Sequence, residues 1–203
     1  MLWKIILAFV LGYALGSLNT ALIVGRLYGT DIRKQGSRSA GLTNALRVLG
    51  KGAAALVLAG DVLKGIAACL IGLAFGVFLG PDCISLLAAG AGAIVGHNWP
   101  LYFGFKGGKG ALTGIAVLFM LDWRIALLCL GLFALIVAAT RFVSLGTICA
   151  TLLFASLSFL PGFGHGPYVH LFAGLMAAVV ILKHRQNVAR LLAGTENKLS
   201  FSR

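Results

Sequence analysis

Apolar runs separated by short polar stretches organise the whole chain: Leu2–Val24, Ala53–Leu79, Ile84–Val95, Ala111–Leu121, Ile125–Ala139, Val143–Leu160 and Tyr168–Leu182. A helix needs about 20 residues to cross a bilayer, within a range of ~17–25. The third, fourth and fifth runs fall short of that length. They must borrow flanking residues such as Trp99, Tyr102, Phe103 and Phe105, thin the bilayer locally, or enter without crossing. The pattern predicts an all-α polytopic membrane protein of about seven transmembrane helices. The first run carries only Lys4 near its start and has no small-x-small cleavage site. It is therefore expected to stay in the membrane rather than act as a removable leader.

Composition sharpens this picture. Of 203 residues, 60% are hydrophobic and only 11% are charged, against about a quarter charged in a soluble domain. No soluble domain fits in what remains, so residues 1–203 read as a single transmembrane domain. The net charge of +12 is unevenly spread. Arg26, Arg33, Lys34, Arg38, Arg47 and Lys51 lie in the first connection, Lys106 and Lys109 in a later one, then Arg141, and finally Lys183, Arg185, Arg190, Lys198 and Arg203 in the tail. The opposite side has only Lys4 and Arg124. By the positive-inside rule the crowded side is cytoplasmic, with the N-terminus outside and the C-terminus inside. The turns at Pro81-Asp82 and Pro161–Pro167 then face outside and carry little chemistry, with His165 and His170 expected in interfacial or packing roles. Cys69, Cys83, Cys129 and Cys149 lie in or beside apolar runs without a Cys-x-x-Cys pair, and read as packing residues.

Candidate chemistry concentrates in the cytoplasmic connections. Its densest feature is Phe105-Lys106-Gly107-Gly108-Lys109-Gly110, which puts two cations beside the start of an apolar run. Glycines let backbone N–H groups close around a phosphate, lysines supply charge, and a helix beginning just afterwards adds its positive end. This is not a P-loop, because three residues rather than four separate Gly104 from Gly108, and Gly110 follows the lysine. The competing reading is a flexible interfacial loop with snorkelling lysines.

The first connection reads Gly36-Ser37-Arg38-Ser39-Ala40-Gly41-Leu42-Thr43-Asn44-Ala45-Leu46-Arg47. Thr43 or Asn44 is placed to cap a helix leading into the second run, with Arg47 one turn on to meet an anion there. Alternatively its charges only greet anionic lipid headgroups. Asp61 and Lys64 share a helix face inside the second run and read as a structural ion pair. His97 follows Gly96 and, taken alone, reads as a hydrogen-bonded structural residue. Ser144 closes the Arg141-Phe142-Val143-Ser144 stretch, and His184 and Asn187 share one face of a helix expected to continue past the last run towards Glu196.

Together these stretches resemble the acyl-phosphate-dependent glycerol-3-phosphate acyltransferases of bacteria, small membrane enzymes of seven crossings. The likeness covers nearly the whole chain and rests on Gly36-Ser37, Thr43-Asn44, Arg47, Gly96-His97, Phe105–Gly110, Arg141 to Ser144, His184-Arg185 with Asn187, and Leu191–Glu196. One departure stands out. The family's first loop usually reads Gly-Ser-Gly-Asn-Pro-Gly-Ala-Thr-Asn, whereas Arg38, Ser39, Ala40 and Leu42 stand here in place of its Gly, Asn, Pro and Ala.

The resemblance implies transfer of a fatty acyl group from acyl phosphate to the 1-hydroxyl of glycerol 3-phosphate, giving lysophosphatidic acid, the first step of phospholipid synthesis. It implies that Arg47, Lys106, Gly107 and Gly108 hold phosphates, with Gly36, Asn44, His97, Lys109 and Gly110 also lining the substrates. Ser37, Thr43 and Ser144 would position them by hydrogen bonds, and His184 and Asn187 would orient the glycerol backbone or the carbonyl. His184, His97 and a phosphate oxygen of the donor are the candidates for taking the hydroxyl's proton. The four cytoplasmic connections are expected to meet in one pocket. The implied partners are the two substrates and membrane lipids, with no cofactor, metal or nucleic acid, at a bacterial plasma membrane. The other glycerolipid acyltransferase class places Asp five positions after His; here Tyr102 follows His97 and Ala189 follows His184 at that spacing. A small transporter or carrier of phosphorylated solutes or lipids is the rival reading, disfavoured because the phosphate-binding candidates cluster in loops on one side and no obvious internal repeat is seen.

Overall fold

The computed structural model describes residues 1–199, whose regular structure is helical apart from one hairpin of two-residue strands, with irregular loops between; Arg203, counted among the tail cations, lies outside the described residues. The chain divides into two compact units, one formed by residues 1–79 and 83–121 and the other by residues 80–82 and 122 onwards. Three helical stretches are long and apolar enough to cross a membrane: Leu2–Leu27, Lys51–Phe75 and Trp123–Thr140. A fourth is reached if Pro167–Lys183 and Arg185–Leu192, bent by 59°, count as one, and Ala111–Leu121 and Val143–Ser158 are shorter apolar helices.

The first unit contains α1 (Leu2–Ser17), α2 (Thr20–Leu27), α3 (Leu42–Leu49), α4 (Lys51–Phe75), α5 (Ile84–Asn98) and α6 (Ala111–Leu121). Between α4 and α5 in sequence lie β1 (Phe78–Leu79) and β2 (Asp82–Cys83). The first apolar run is interrupted at Leu18–Asn19, because the Asn19 side chain accepts the Leu22 N–H at 3.1 Å and starts a new helix. α1 lies against α5 through small residues on both sides. A methyl group at Gly12 or Gly16 would run into the backbone of Ala89 or Ala93, and one at Gly92 or Gly96 into that of Phe9 or Tyr13. Such reciprocal small-xxx-small contacts gain dispersion energy where lipid offers no hydrophobic drive. The opposite faces carry exposed Leu2, Ile6 and Val10 on α1 and Leu56, Leu63 and Leu70 on α4, as lipid-facing surfaces do.

The second unit contains α7 (Trp123–Thr140), α8 (Val143–Ser158), α9 (Pro167–Lys183) and α10 (Arg185–Leu192). Two carboxylates start its long helices. Asp122 accepts the N–H groups of Arg124 and Ile125 at 2.9 and 3.4 Å, while its other oxygen meets Arg124 at 2.7 Å and His165 at 3.1 Å. Buried Asp82 accepts from Gly166, Tyr168 and Val169 at 2.8, 3.0 and 3.3 Å, satisfying the orphan amides of α9. The turn at Pro81-Asp82, expected to carry little, thus anchors a helix 84 residues away in sequence. His170 stacks on Phe159 with ring centroids 4.5 Å apart.

Replacing Asp82 with Ala is expected to cost about 2 kcal/mol, since it strips a helix cap and leaves buried amides unpaired. Thermal unfolding of the detergent-solubilised protein measures this as a lowered midpoint.

Candidate active site

In the first unit, the first connection folds around Asn44. Its side-chain oxygen accepts the Ser37 N–H at 2.9 Å, while its amide donates to the Ile32 and Gln35 carbonyls at 2.9 and 3.1 Å. This corrects the capping expectation. The cap position belongs to Gly41, whose backbone is extended, and neither Thr43 nor Asn44 caps the helix because Asn44 lies buried within α3 and is used to shape the loop before it. Nor does that helix run on into the second span: Gly50, at φ 89°, ends α3 before α4 begins. Arg47 sits in the last turn of α3. Gly36 takes φ 56°, and Arg38, standing where the family has glycine, takes φ 58°. A non-glycine residue in that left-handed region stores strain of about 1 kcal/mol or more.

The lysine turn is held from two directions. Arg33, paired with Asp31 at 2.8 Å, donates to the carbonyls of Phe103 and Lys106, both at 3.0 Å. The Arg33 guanidinium hydrogen-bonded to Asp31 holds that carboxyl below its usual range. From beneath, the Gly108 N–H donates to the His97 carbonyl at 3.1 Å, and Asn19 donates to the same oxygen at 3.3 Å. A methyl at Gly108 would collide with His97 Nε2 and the Ala40 carbonyl, and one at Gly107 with the His97 carbonyl and Pro100. The glycines therefore serve close approach to His97. The Gly108 amide faces protein rather than an anion, which corrects its part in a backbone cradle. Lys106 remains exposed, Lys109 is half-buried, and Gly110, at φ 78°, leads directly into α6.

Asp61 and Lys64 form the expected pair at 2.9 Å, and both are buried. The company they keep is not visible in the sequence. Lys64 Nζ also reaches the Gly16 and Leu18 carbonyls at 3.1 and 3.2 Å and His97 Nδ1 at 3.0 Å.

In the second unit Glu196 gathers the predicted residues. Its Oε1 accepts from Ser144 Oγ at 2.8 Å and Asn187 Nδ2 at 2.6 Å, and its Oε2 from Arg190 Nε at 2.7 Å. Burial alone would raise the Glu196 pKa, but the hydrogen bonds from Asn187, Arg190 and Ser144 outweigh it and hold the carboxyl below its usual value. His184 is buried at a bend rather than within a continuing helix: α9 ends there and α10 starts at Arg185, with 59° between them. A carbonyl only accepts, so the 2.8 Å contact between His184 Nδ1 and the Val180 carbonyl puts the proton of the neutral ring on Nδ1 and makes Nε2 its acceptor. Arg141, at φ 64°, turns the chain into α8 and takes the Leu199 N–H on its carbonyl at 2.8 Å.

Apolar helices with polar chemistry gathered at a few chain turns define an integral membrane protein. The glycerol-3-phosphate acyltransferase family profile matches residues 6–194. Curated relatives named glycerol-3-phosphate acyltransferase are 43% identical in Shouchella clausii, over 98% of both chains, and 41% identical in Clostridioides difficile, over 98% of this chain and 97% of that one. The crystal structure of PlsY, an integral membrane glycerol 3-phosphate acyltransferase, in its glycerol 3-phosphate form aligns with TM-score 0.88 at 34% identity, covering 97% of this chain and 96% of that one. Its lysophosphatidic acid form aligns with TM-score 0.84 over the same shares. The chain belongs to the glycerol-3-phosphate acyltransferase family.

Two outcomes follow from these contacts. Arg38→Gly removes the left-handed strain and is expected to raise the unfolding midpoint, by about 1 kcal/mol in stability. Glu196, with its native pKa lowered, contributes stability that is fully present above the ordinary glutamate value of 4.5 and is lost as pH falls through the lower native value. Midpoints measured from pH 7 downwards should fall in that acid range for the native chain, and the Glu196→Gln variant should lack this component.

Proposed function

We propose that the protein takes acyl phosphate as its donor and transfers the acyl group to the 1-hydroxyl of glycerol 3-phosphate, giving lysophosphatidic acid and inorganic phosphate. The observation that carries this reading is the lysine turn, pinned by Arg33 above and His97 below, in a chain of this family. Lys106, Lys109 and Arg47 supply charge to phosphate oxygens, with Gly36, Gly107 and Gly110 shaping the turns that carry them. Ser37, Thr43 and Ser144 position by hydrogen bonds, and Asn187 and His184 orient the glycerol or the carbonyl. Seven crossings, with the N-terminus outside and these loops on the cytoplasmic face of a bacterial plasma membrane, fit the charge distribution. Residues 1–203 act as one acyltransferase domain.

Acyl phosphate is an activated mixed anhydride, so attack by the hydroxyl oxygen breaks the acyl–phosphate bond without a covalent enzyme intermediate. The proton passes to a phosphate oxygen of the leaving group. This substrate-assisted route is supported by the use of the acids. All five are engaged in structural contacts: Asp31 with Arg33, Asp61 with Lys64, Asp82 and Asp122 on helix starts, and Glu196 with Ser144, Asn187 and Arg190. The enzyme's share is proximity and stabilisation of developing charge.

Purified protein given glycerol 3-phosphate with either acyl phosphate or acyl-CoA tests the donor. Lysophosphatidic acid is expected from acyl phosphate alone; product from acyl-CoA alone contradicts the assignment. Lys106→Ala is expected to lower kcat/KM by about a hundredfold or more. His184→Ala should slow turnover yet leave measurable chemistry, and complete loss of chemistry with substrate binding retained would instead make His184 the base.

A further inference from the structure

We infer that the buried Asp61–Lys64 pair is a positioning device for the reaction, which fixes His97 as a neutral imidazole protonated on Nε2 and through it sets the lysine turn. The inference rests on the reading that this turn holds substrate phosphate. An ammonium group can only donate, and Lys64 Nζ lies 3.0 Å from His97 Nδ1. Nδ1 must therefore present its lone pair, which leaves the ring proton on Nε2. The alternative, an Nδ1–H donating to Asp61 Oδ1, has the longer separation of 3.5 Å and would aim a proton at a buried cation. The Asp61 carboxylate lies 2.9 Å from Lys64 Nζ, and the Gly16 and Leu18 carbonyls orient it.

The other edge of the same ring faces the catalytic loop. His97 Nε2 lies against the Gly108 α-carbon, where even a methyl group would not fit, and the His97 carbonyl accepts the Gly108 N–H at 3.1 Å. Gly108 is therefore seated by the ring and by the main chain of one residue, and Lys106 and Lys109 stand on either side of that seat. With Nδ1 engaged by Lys64 and Nε2 protonated, neutral His97 has no lone pair with which to take the hydroxyl's proton. It is a positioning residue rather than the base; its Nδ1 faces an ammonium, where that of His184 faces a carbonyl.

The test uses the full-length protein in detergent micelles, labelled with ¹⁵N in its imidazole rings, with the His97 signals assigned by their absence from His97→Gln. The expected spectrum near neutral pH shows His97 neutral and protonated on Nε2; a ring protonated on Nδ1, or an imidazolium, overturns the inference. Lys64→Met should move the ring to the other tautomer and raise KM for at least one phosphorylated substrate about tenfold or more, with a smaller change in kcat. Asp61→Asn, which keeps the shape but not the charge, should do the same to a lesser degree. If Lys106→Ala raises KM and folded Lys64→Met does not, this inference fails while the phosphate turn stands. If neither variant changes KM, the phosphate reading fails and takes this one with it. Should Lys64→Met not fold, the spectrum of the native chain still decides.

Discussion

One buried ammonium holds the first unit together. Where the first apolar run breaks, the carbonyls at the end of α1 lose their helical partners in surroundings that offer little water. Lys64, from the middle of α4, donates to two of them, and the Asp61 carboxylate balances its charge. Its remaining neighbour, His97, belongs to the last turn of α5. Three helices thus meet at one nitrogen. Removing either partner would strand a buried charge, so the pair specifies this arrangement even where its net contribution to stability is small.

That constraint explains how a chain so poor in acids handles anionic substrates. The carboxylates are all engaged in internal contacts, where they start helices, pair cations or tether the tail. The loops bearing the cations are shaped by neutral groups and backbone together with the Arg33 clamp and the Glu196 carboxylate. Asn44 folds the first connection, Asn19 and the His97 carbonyl seat the glycine turn, and Ser144 and Asn187 converge on Glu196. Left-handed residues recur where these loops turn, at Arg38, at Phe105 just before Lys106, and at Arg141 three positions before Ser144. Such strain persists only where the surrounding contacts over-determine the turn.

Much of this is legible in the sequence. Apolar length alone locates a helix in every run, and the glycine-lysine cluster marks the loop that Arg33 and His97 clamp. The spacing of Asp61 and Lys64 announces their pairing, and Asp122 directly before an apolar run is a readable helix cap. What escapes depends on distance in three dimensions. Nothing near Asp82 says that it caps a helix starting at Pro167, and nothing near His97 says that it meets Lys64. The interruption at Asn19 and the bend at His184 lie within or beside runs whose composition favours continuity. They stay hidden because side-chain contacts, rather than propensity, decide them. The Gly107-Gly108 pair reads as amides for phosphate, yet both sites are glycine because His97 and Pro100 leave no room for a Cβ.

Hydrogen exchange read by mass spectrometry addresses the central claim most directly, by comparing native protein with Lys64→Met. If the buried ammonium organises the lysine turn through His97, backbone amides across residues 106–110 will lose protection in the variant while α7 to α9 keep theirs. Unchanged protection at 106–110 in a folded variant would mean that the turn holds its shape without Lys64, and the coupling from ammonium through imidazole to turn would be refuted.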